Sequence, residues 1–348
     1  MSYVAIEMKV LERPSLKSLN TFGVEASAGL LLTIETEEDL LSLPAFDPHR
    51  DFVLGGGSNV LFVSDVPGTV FLNRIAGKEI ISEHDGYAQL EVGAGENWHQ
   101  LVRWSLDQGL SGLENLSLIP GLAGAAPIQN IGAYGVELSS VLELVTAWDW
   151  QNSTWVTFNR DECGFGYRDS LFKSVNTGRY FITSIRLQLN RQFKPQLDYA
   201  GLQDALSSMG IDQPGAKQVS DTVIRIRQQK LPDPAVTGNA GSFFKNPVVS
   251  MDEAELLRSC YPGLPTWPAG ADRAKLSAAW MIDHCGWKGF QENGAAVSSQ
   301  HALVLVNQGQ ASGQHILELA RKITDSVAQE FGVALEPEPK IYKGPDSL

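Results

Sequence analysis

Cysteine is scarce in this sequence. Three residues in 348, at positions 163, 260 and 285, form no C-x-x-C pair and no metal-ligand spacing. An odd, scattered set suits a reducing compartment better than a disulfide framework. The six histidines include no H-x-x-x-H, so no metal held by the chain is expected. No apolar run approaches the roughly 18 residues of a membrane span. The N-terminus carries Glu7 and Glu12 and lacks the apolar core of a signal peptide. Together these absences predict a cytoplasmic protein with no membrane partner. Positive charge is also in deficit, 27 Lys and Arg against 40 Asp and Glu, and a net charge of −13 argues against nucleic acid as a partner. Two nucleotide-binding signatures are missing as well. No G-x-G-x-x-G opens a helix, and no glycine loop runs into Lys-Ser/Thr.

Glycine, by contrast, is concentrated where it would matter. In the stretch 119–135, Gly121, Gly124, Gly132 and Gly135 recur among small apolar residues, with Gln129, Asn130 and Tyr134 the polar exceptions. Such a stretch has no polar face for an amphipathic helix and few large side chains for a core strand. It reads either as a wall against which a flat ligand lies or as a tight buried turn. Earlier, Gly55, Gly56, Gly57, Ser58 and Asn59 stand between two strand-like runs. Consecutive N–H groups with small polar side chains make an anion nest suited to a diphosphate, or a plain turn; the three adjacent glycines favour the nest.

The rest of the chain alternates short strands and helices. Strands are expected over 30–34, 52–54, 60–63, 88–92, 142–150, 154–158, 180–189 and 302–306. Helices are expected from Thr36, from Trp98 to Gly109, from a Ser220 cap to Lys230, over 275–285, and from Ser312 to Gly332. Between the strands at 154–158 and 180–189 lies a glycine-broken loop with Tyr167, Arg168 and Asp169. Arg168 there is either a surface cation or a fork for a carboxylate. Ser242, after Gly241 and before two phenylalanines, is not a nucleophile elbow, because Phe244 stands where the last glycine should be. It is a turn serine or a hydroxyl presented for chemistry. An acidic, proline-stiffened tail, Leu335-Glu336-Pro337-Glu338-Pro339-Lys340, follows the last helix.

Five pieces in order carry a resemblance: 55–60, 119–135, 166–170, 241–247 and 335–338. With them the chain resembles the UDP-N-acetylenolpyruvoylglucosamine reductase family, FAD enzymes of peptidoglycan precursor synthesis, over nearly its whole length. The resemblance implies an α+β fold with two FAD-binding subdomains of the vanillyl-alcohol-oxidase/PCMH-like type and an α+β substrate-binding domain. The implied division is 1–72, 73–218 and 219–334, with 335–348 as a C-terminal strand returning to the active site. It explains the missing Rossmann fingerprint, since that flavin fold does not use one.

The resemblance also implies the parts. FAD would lie on Gly55, Gly56, Gly57, Ser58, Asn59, Pro120, Gly121, Gly124, Ala125, Gln129, Asn130, Gly132 and Tyr134. Arg168, Ser242 and Glu338 would be the catalytic set, Glu338 rather than Glu336 because of its place before the final strand. Tyr199, in the extra tyrosine-bearing segment of the family's longer type, would contact the UDP-sugar with Lys230, Asn246 and Lys275. NADPH would reduce FAD, and hydride would pass from flavin N5 to the vinyl C3 of the enolpyruvyl ether, with the proton for C2 from Ser242. Glu338 is expected to be protonated beside the substrate carboxylate. The chain departs from the family at Pro339-Lys340, usually a small apolar residue and Arg, and at Gln300-His301, often paired glutamines. The alternative is another PCMH-type flavin oxidoreductase acting on a sugar or alcohol, though no His or Cys stands in 55–59 or 119–135 to tether FAD. A non-enzymatic flavin- or nucleotide-sugar-binding module is the further alternative. With no heptad in the sequence, a monomer is expected.

Overall fold

The computed structural model describes residues 9–199 and 201–344. Glu7, the outer ends of the first and last expected segments, and Ala200 beside Tyr199 lie outside the described residues.

Leucine- and valine-rich runs build the first sheet. Ala28–Ile34 pairs in parallel with Val66–Asn73, which pairs in parallel with Phe52–Leu54, and Val10–Glu12 adds an antiparallel edge. Strand Val66–Asn73 is buried along nearly all its length, as expected for a central strand covered on both faces. The second sheet is antiparallel, in the order Thr154–Asn159, Leu142–Asp149, Tyr180–Asn190, Tyr87–Gly93, Lys78–His84. Tyr87–Gly93 alternates buried and half-buried residues, the pattern of a sheet with one covered face. Helix Trp98–Asp107 covers that sheet with Trp98, Leu101, Val102 and Leu106, and Asn97 caps it by accepting from the Gln100 N–H at 3.0 Å.

The third region holds two smaller sheets. Gly238–Ser242, Val304–Asn307, Ala295–Val297 and Gln291–Glu292 form one; Val248–Ser250, Arg273–Leu276 and Thr266–Pro268 form the other. Helix Gly313–Phe331 begins at its Ser312 cap and stops at Gly332 in the left-handed conformation, φ 69°. The chain then returns: Lys340–Tyr342 pairs in parallel with Val60–Phe62.

Apolar packing divides the molecule differently from the order of the chain. One core joins Leu16, Phe22, Leu31 and Phe62 of the first region to Phe243, Leu305, Ile316 and Ile323 of the third. A separate core, with Leu90, Leu101, Val145 and Ile185, belongs to the second sheet.

Three local expectations are corrected. Residues 275–285 are not one helix: Arg273–Leu276 is a strand, and helix Ala278–His284 starts after Ser277, whose hydroxyl accepts from the Trp280 N–H. Pairing on both sides with Val248–Ser250 and Thr266–Pro268 overrides helical periodicity there. Ser220 is not a cap. The helix runs Ala216–Lys230, opened by Gly215, whose N–H donates to the Gln218 side chain at 2.8 Å. Ser220 is buried inside it and shares a hydrogen bond with Ser117 at 2.7 Å, so this helix packs on the second region. The expected 218/219 division falls within that helix. Finally, the turn after Thr36 is a short 3-10 segment, Glu38–Ser42, with Asp39 accepting from the N–H groups of Glu35 and Thr36.

Candidate active site

The two glycine stretches meet. Strand Phe52–Leu54 runs into Gly55–Asn59 and turns back as Val60–Phe62. Gly57 has φ +64°, and a Cβ there would lie 1.9 Å from the Leu19 carbonyl oxygen. Only glycine meets both demands. The Thr21 N–H donates to the Gly57 carbonyl at 3.0 Å, and buried Asn20 braces that loop through Leu16 and Val24. On the other side, a Cβ on Gly56 would stand 3.1 Å from Gly121 Cα, and one on Gly121 would stand 2.8 Å from Ser58 Oγ. The backbones of 55–59 and 119–135 therefore approach closely. Asn59 Nδ2 donates to Gln129 Oε1 at 2.8 Å and ties them again, while the Gly55 carbonyl accepts from Arg74.

Stretch 119–135 is two 3-10 turns, Ala123–Ala125 and Pro127–Gln129, followed by the hairpin Gly132–Ala133 with Val136–Glu137. Its residues divide in purpose. Gly124 rests against Ala94, where a Cβ would come within 2.4 Å of the alanine methyl, so its smallness serves packing on the second sheet. Asn130 is buried at φ 43°, and its amide is committed to Glu137, Gly166 and Ser139. Pro120 and Ala125 are exposed. Tyr134 has φ 50° and lies edge-on to Tyr199, ring centroids 5.2 Å apart. Burial pushes its phenol pKa up, against the pull of nearby Arg227.

Arg168 crosses from the second region to this hairpin. Its Nη2 donates to the Gly132 carbonyl at 2.6 Å, and its Nε lies 3.2 Å from Glu338 Oε1, the two side chains 20% and 14% exposed. A Cβ on Gly132 would press on Arg168 Nη1 at 3.0 Å, so the glycine makes room for the guanidinium. Burial raises the Glu338 pKa above the usual carboxylate range, opposed by Arg168, Lys173 and Lys245. Glu336, two residues earlier, points outward, 69% exposed, and pairs with Lys245.

Ser242 ends strand Gly238–Ser242 after a register shift between Asn239 and Ser242, where Gly241 takes φ +72°. Such a bulge re-aims the side chain that follows it. Among the described residues its hydroxyl has no hydrogen-bond partner. The next residue links it to the tail: Phe243 donates its N–H to Leu303 at 2.7 Å, and its carbonyl accepts from the Glu338 N–H at 2.8 Å. Ser242 and Glu338 are thus held one residue apart across a backbone hydrogen bond.

Lys275 lies over the Tyr167 ring, 4.1 Å from its centroid, and the Tyr167 phenol faces Asn246. Burial first, and Arg168 second, hold the Lys275 ammonium below the ordinary lysine range. Asn246 Oδ1 also accepts from the Ala278 N–H. Lys230 is exposed at the end of its helix, and its charge adds to burial in lowering the His301 pKa. Tyr199 is half exposed.

Four residues here escaped the sequence reading as site residues: Tyr167, Lys173, Arg227 and Lys245. Tyr167 adjoins Arg168 and was within reach of a motif argument. Arg227 and the two lysines look in sequence like ordinary surface charges. Arg227 is nevertheless half-buried, near Tyr134 and Arg168, and its Nε is shielded from solvent with no partner among the described residues.

The site combines close-packed glycine loops in a non-Rossmann α+β fold with a partly buried Arg–Glu pair, and the family matches make the chain a flavin-binding oxidoreductase. Residues 33–159 match the FAD binding domain family, and residues 233–342 match the C-terminal domain of UDP-N-acetylenolpyruvoylglucosamine reductase. The Pseudomonas aeruginosa protein of that name is 47% identical over 340 residues, covering 97% of this chain and 100% of the relative. The Xanthomonas oryzae pv. oryzae protein is 48% identical over 334 residues, covering 95% and 98%. The crystal structure of the Thermus caldophilus reductase aligns at a TM-score of 0.66 with 30% identity, over 96% of this chain and 99% of that one. The chain belongs to the UDP-N-acetylenolpyruvoylglucosamine reductase family.

Proposed function

We propose that this chain reduces UDP-N-acetylglucosamine enolpyruvate to UDP-N-acetylmuramate for peptidoglycan precursor synthesis, using FAD and NADPH. The observation that carries the reading is the largely enclosed Arg168–Glu338 pair, joined to the Gly132 carbonyl on one side and, through the Phe243 backbone, to the segment of Ser242 on the other. Two features of the chain fit a flavin dinucleotide. The 55–59 and 119–135 backbones approach each other closely at Gly56, Gly121 and Ser58, and the Arg227 Nε is buried without a partner among the described residues.

When bound, FAD would supply the hydride chemistry, with NADPH as its reductant. The rest falls to the protein. Arg168 neutralises the charge that develops on the enolpyruvyl carboxylate. Glu338, whose pKa burial raises, would when protonated donate a hydrogen bond there instead of repelling the substrate. The Ser242 hydroxyl delivers a proton to C2; it is a weak acid, so the step needs a strongly basic carbon and resupply of the proton. Lys275 and Asn246, facing the same Tyr167, bind the UDP-sugar, with Lys230 and Tyr199 at the outer edge. Gly55–Asn59 and the rest of stretch 119–135 would hold FAD, whereas Gly124 packs on Ala94 and Asn130 is committed to Glu137, Gly166 and Ser139.

A UDP-sugar and NADPH are both cytoplasmic nucleotides, so the reading carries a cytoplasmic location. A monomer suffices, because all three catalytic side chains come from one chain. Functionally the chain reads as two lobes, the second sheet with its helices through Lys230 forming one. NADPH oxidation measured with and without the enolpyruvyl nucleotide sugar tests the assignment. Oxidation dependent on that substrate supports it; oxidation indifferent to it, or driven by a simple sugar or alcohol, overturns it.

A further inference from the structure

Arg168 sits at φ 55°, a left-handed conformation that is strained for a residue with a side chain. Its loop is built to hold it. Gly166 and Asp169 exchange backbone hydrogen bonds at 3.0 and 3.3 Å across the turn. Ser170 Oγ donates to the Ile128 carbonyl at 2.6 Å, which ties the loop to stretch 119–135. The same hydroxyl accepts from the Phe172 N–H and opens a single π-helical turn, Leu171–Val175, an uncommon element that often marks functional positions.

From that turn Lys173 reaches back. Its Nζ donates to the Arg168 carbonyl at 3.3 Å, its one hydrogen bond among the described residues. The side chain is half-buried and its ammonium lies between this backbone oxygen of a strained turn and the carboxylates of Glu338, Glu336 and Asp169. Lys245 supplies a second interior cation. Its N–H donates to the Glu336 carbonyl at 2.9 Å and its ammonium pairs with the Glu336 carboxylate, which holds the 336–338 segment in place. Glu338 therefore faces Arg168, Lys173 and Lys245 as cations, and the Tyr167 phenol as a weak acid.

We propose that Lys173 is a positioning residue of the reduction, holding the Arg168 backbone in its left-handed turn and, with Lys245, setting the charge balance around Glu338. The inference rests on the roles proposed above for Arg168 and Glu338. Burial holds the Lys173 ammonium below the ordinary lysine range, with Lys245 as the second cause, which matches cations gathered around one carboxyl.

The test is the pH dependence of flavin reoxidation by the enolpyruvyl nucleotide sugar, measured across neutral and alkaline pH in the wild type, Lys173→Met, Lys173→Arg and Glu338→Gln. If Glu338 acts protonated, the rate falls on the alkaline side as it ionises, and Glu338→Gln lacks that limb. Loss of a nearby cation makes ionisation harder, so Lys173→Met shifts the limb upward, by roughly half to one pH unit. Lys173→Arg restores it. A purely structural lysine would lower stability without moving the limb. A limb absent from the wild type or retained in Glu338→Gln overturns the role of Glu338 and the inference with it. A limb lost in Glu338→Gln but unmoved in Lys173→Met overturns the inference alone. If Lys173→Met does not retain FAD, Lys245→Met reads the same limb, and an unmoved limb there counts equally against the proposal.

Discussion

Glu338 stands under opposed influences, burial raising its pKa and the cations Arg168, Lys173 and Lys245 lowering it. Its folded pKa is raised, so the folded state binds its proton more tightly than the unfolded state does. The stability linked to that proton is complete below the unfolded carboxylate pKa and is lost as pH rises through the folded value. Glu338→Gln removes that loss. The variant should reoxidise its flavin poorly with substrate, yet melt less steeply than the wild type as pH is raised; a parallel fall in both melting curves would contradict this. Arg168 makes two directional bonds at once, Nη2 to Gly132 and Nε to Glu338, which a lysine point charge does not reproduce. Arg168→Lys and Arg168→Met should both lower kcat/KM, the latter by on the order of a hundredfold to a thousandfold. Near-normal kcat/KM in Arg168→Met would remove Arg168 from the chemistry. Arg168 was legible because an Arg in a glycine-broken loop invites the question. Lys173 was not, because its importance depends on a π-turn and a positive φ that no residue pattern announces.

The loops and strands show where local reading works. Strand, glycine turn, strand over 52–63 follows from two short apolar runs of β-formers around three glycines, and the structure has it so. What sequence did not contain was the reason for each glycine: Gly57 avoids the Leu19 carbonyl, and Gly124 avoids Ala94. Gly57→Ala combines a positive φ with a collision against backbone, so it should cost more than the roughly 1–3 kcal/mol of such strain alone. Lowered melting temperature with loss of bound flavin absorbance is the expected outcome; an unaltered melt would mean that Leu19 and Asn20 yield freely. Periodicity failed over 275–285 for a complementary reason. Residues 278–285 do carry a helical face, and it extends plausibly backward into a segment that two neighbouring strands claim instead. Ser220 misled similarly: a good capping residue is also small enough to be buried at a helix contact.

The molecule as a whole is closed by contacts between distant parts of the chain. The Asn307 amide donates to the carbonyls of Phe22 and Ala311 at 2.9 and 3.3 Å, while its oxygen accepts from Gly309 and Ala311. This buried side chain links the first and third regions in one core. Asn307→Ala leaves several of those groups unsatisfied and should cost on the order of 2–3 kcal/mol in urea unfolding; a loss within error would show that water replaces the amide. The return of the tail was expected only through the family resemblance, and without its partner strand. Local patterning places Ser242, Arg168 and Glu338 on a loop end, a turn and a tail, but says nothing about the pairing of Lys340–Tyr342 with Val60–Phe62 that brings the tail home.

The claim that the three residues form one reducing site is tested most directly by Ser242→Ala under anaerobic conditions, with the two half-reactions followed separately by flavin absorbance. NADPH should bleach the variant's flavin at close to the wild-type rate, and the enolpyruvyl nucleotide sugar should then fail to restore the colour on the wild-type time scale. Equal slowing of both half-reactions, or reoxidation at the wild-type rate, would contradict the account.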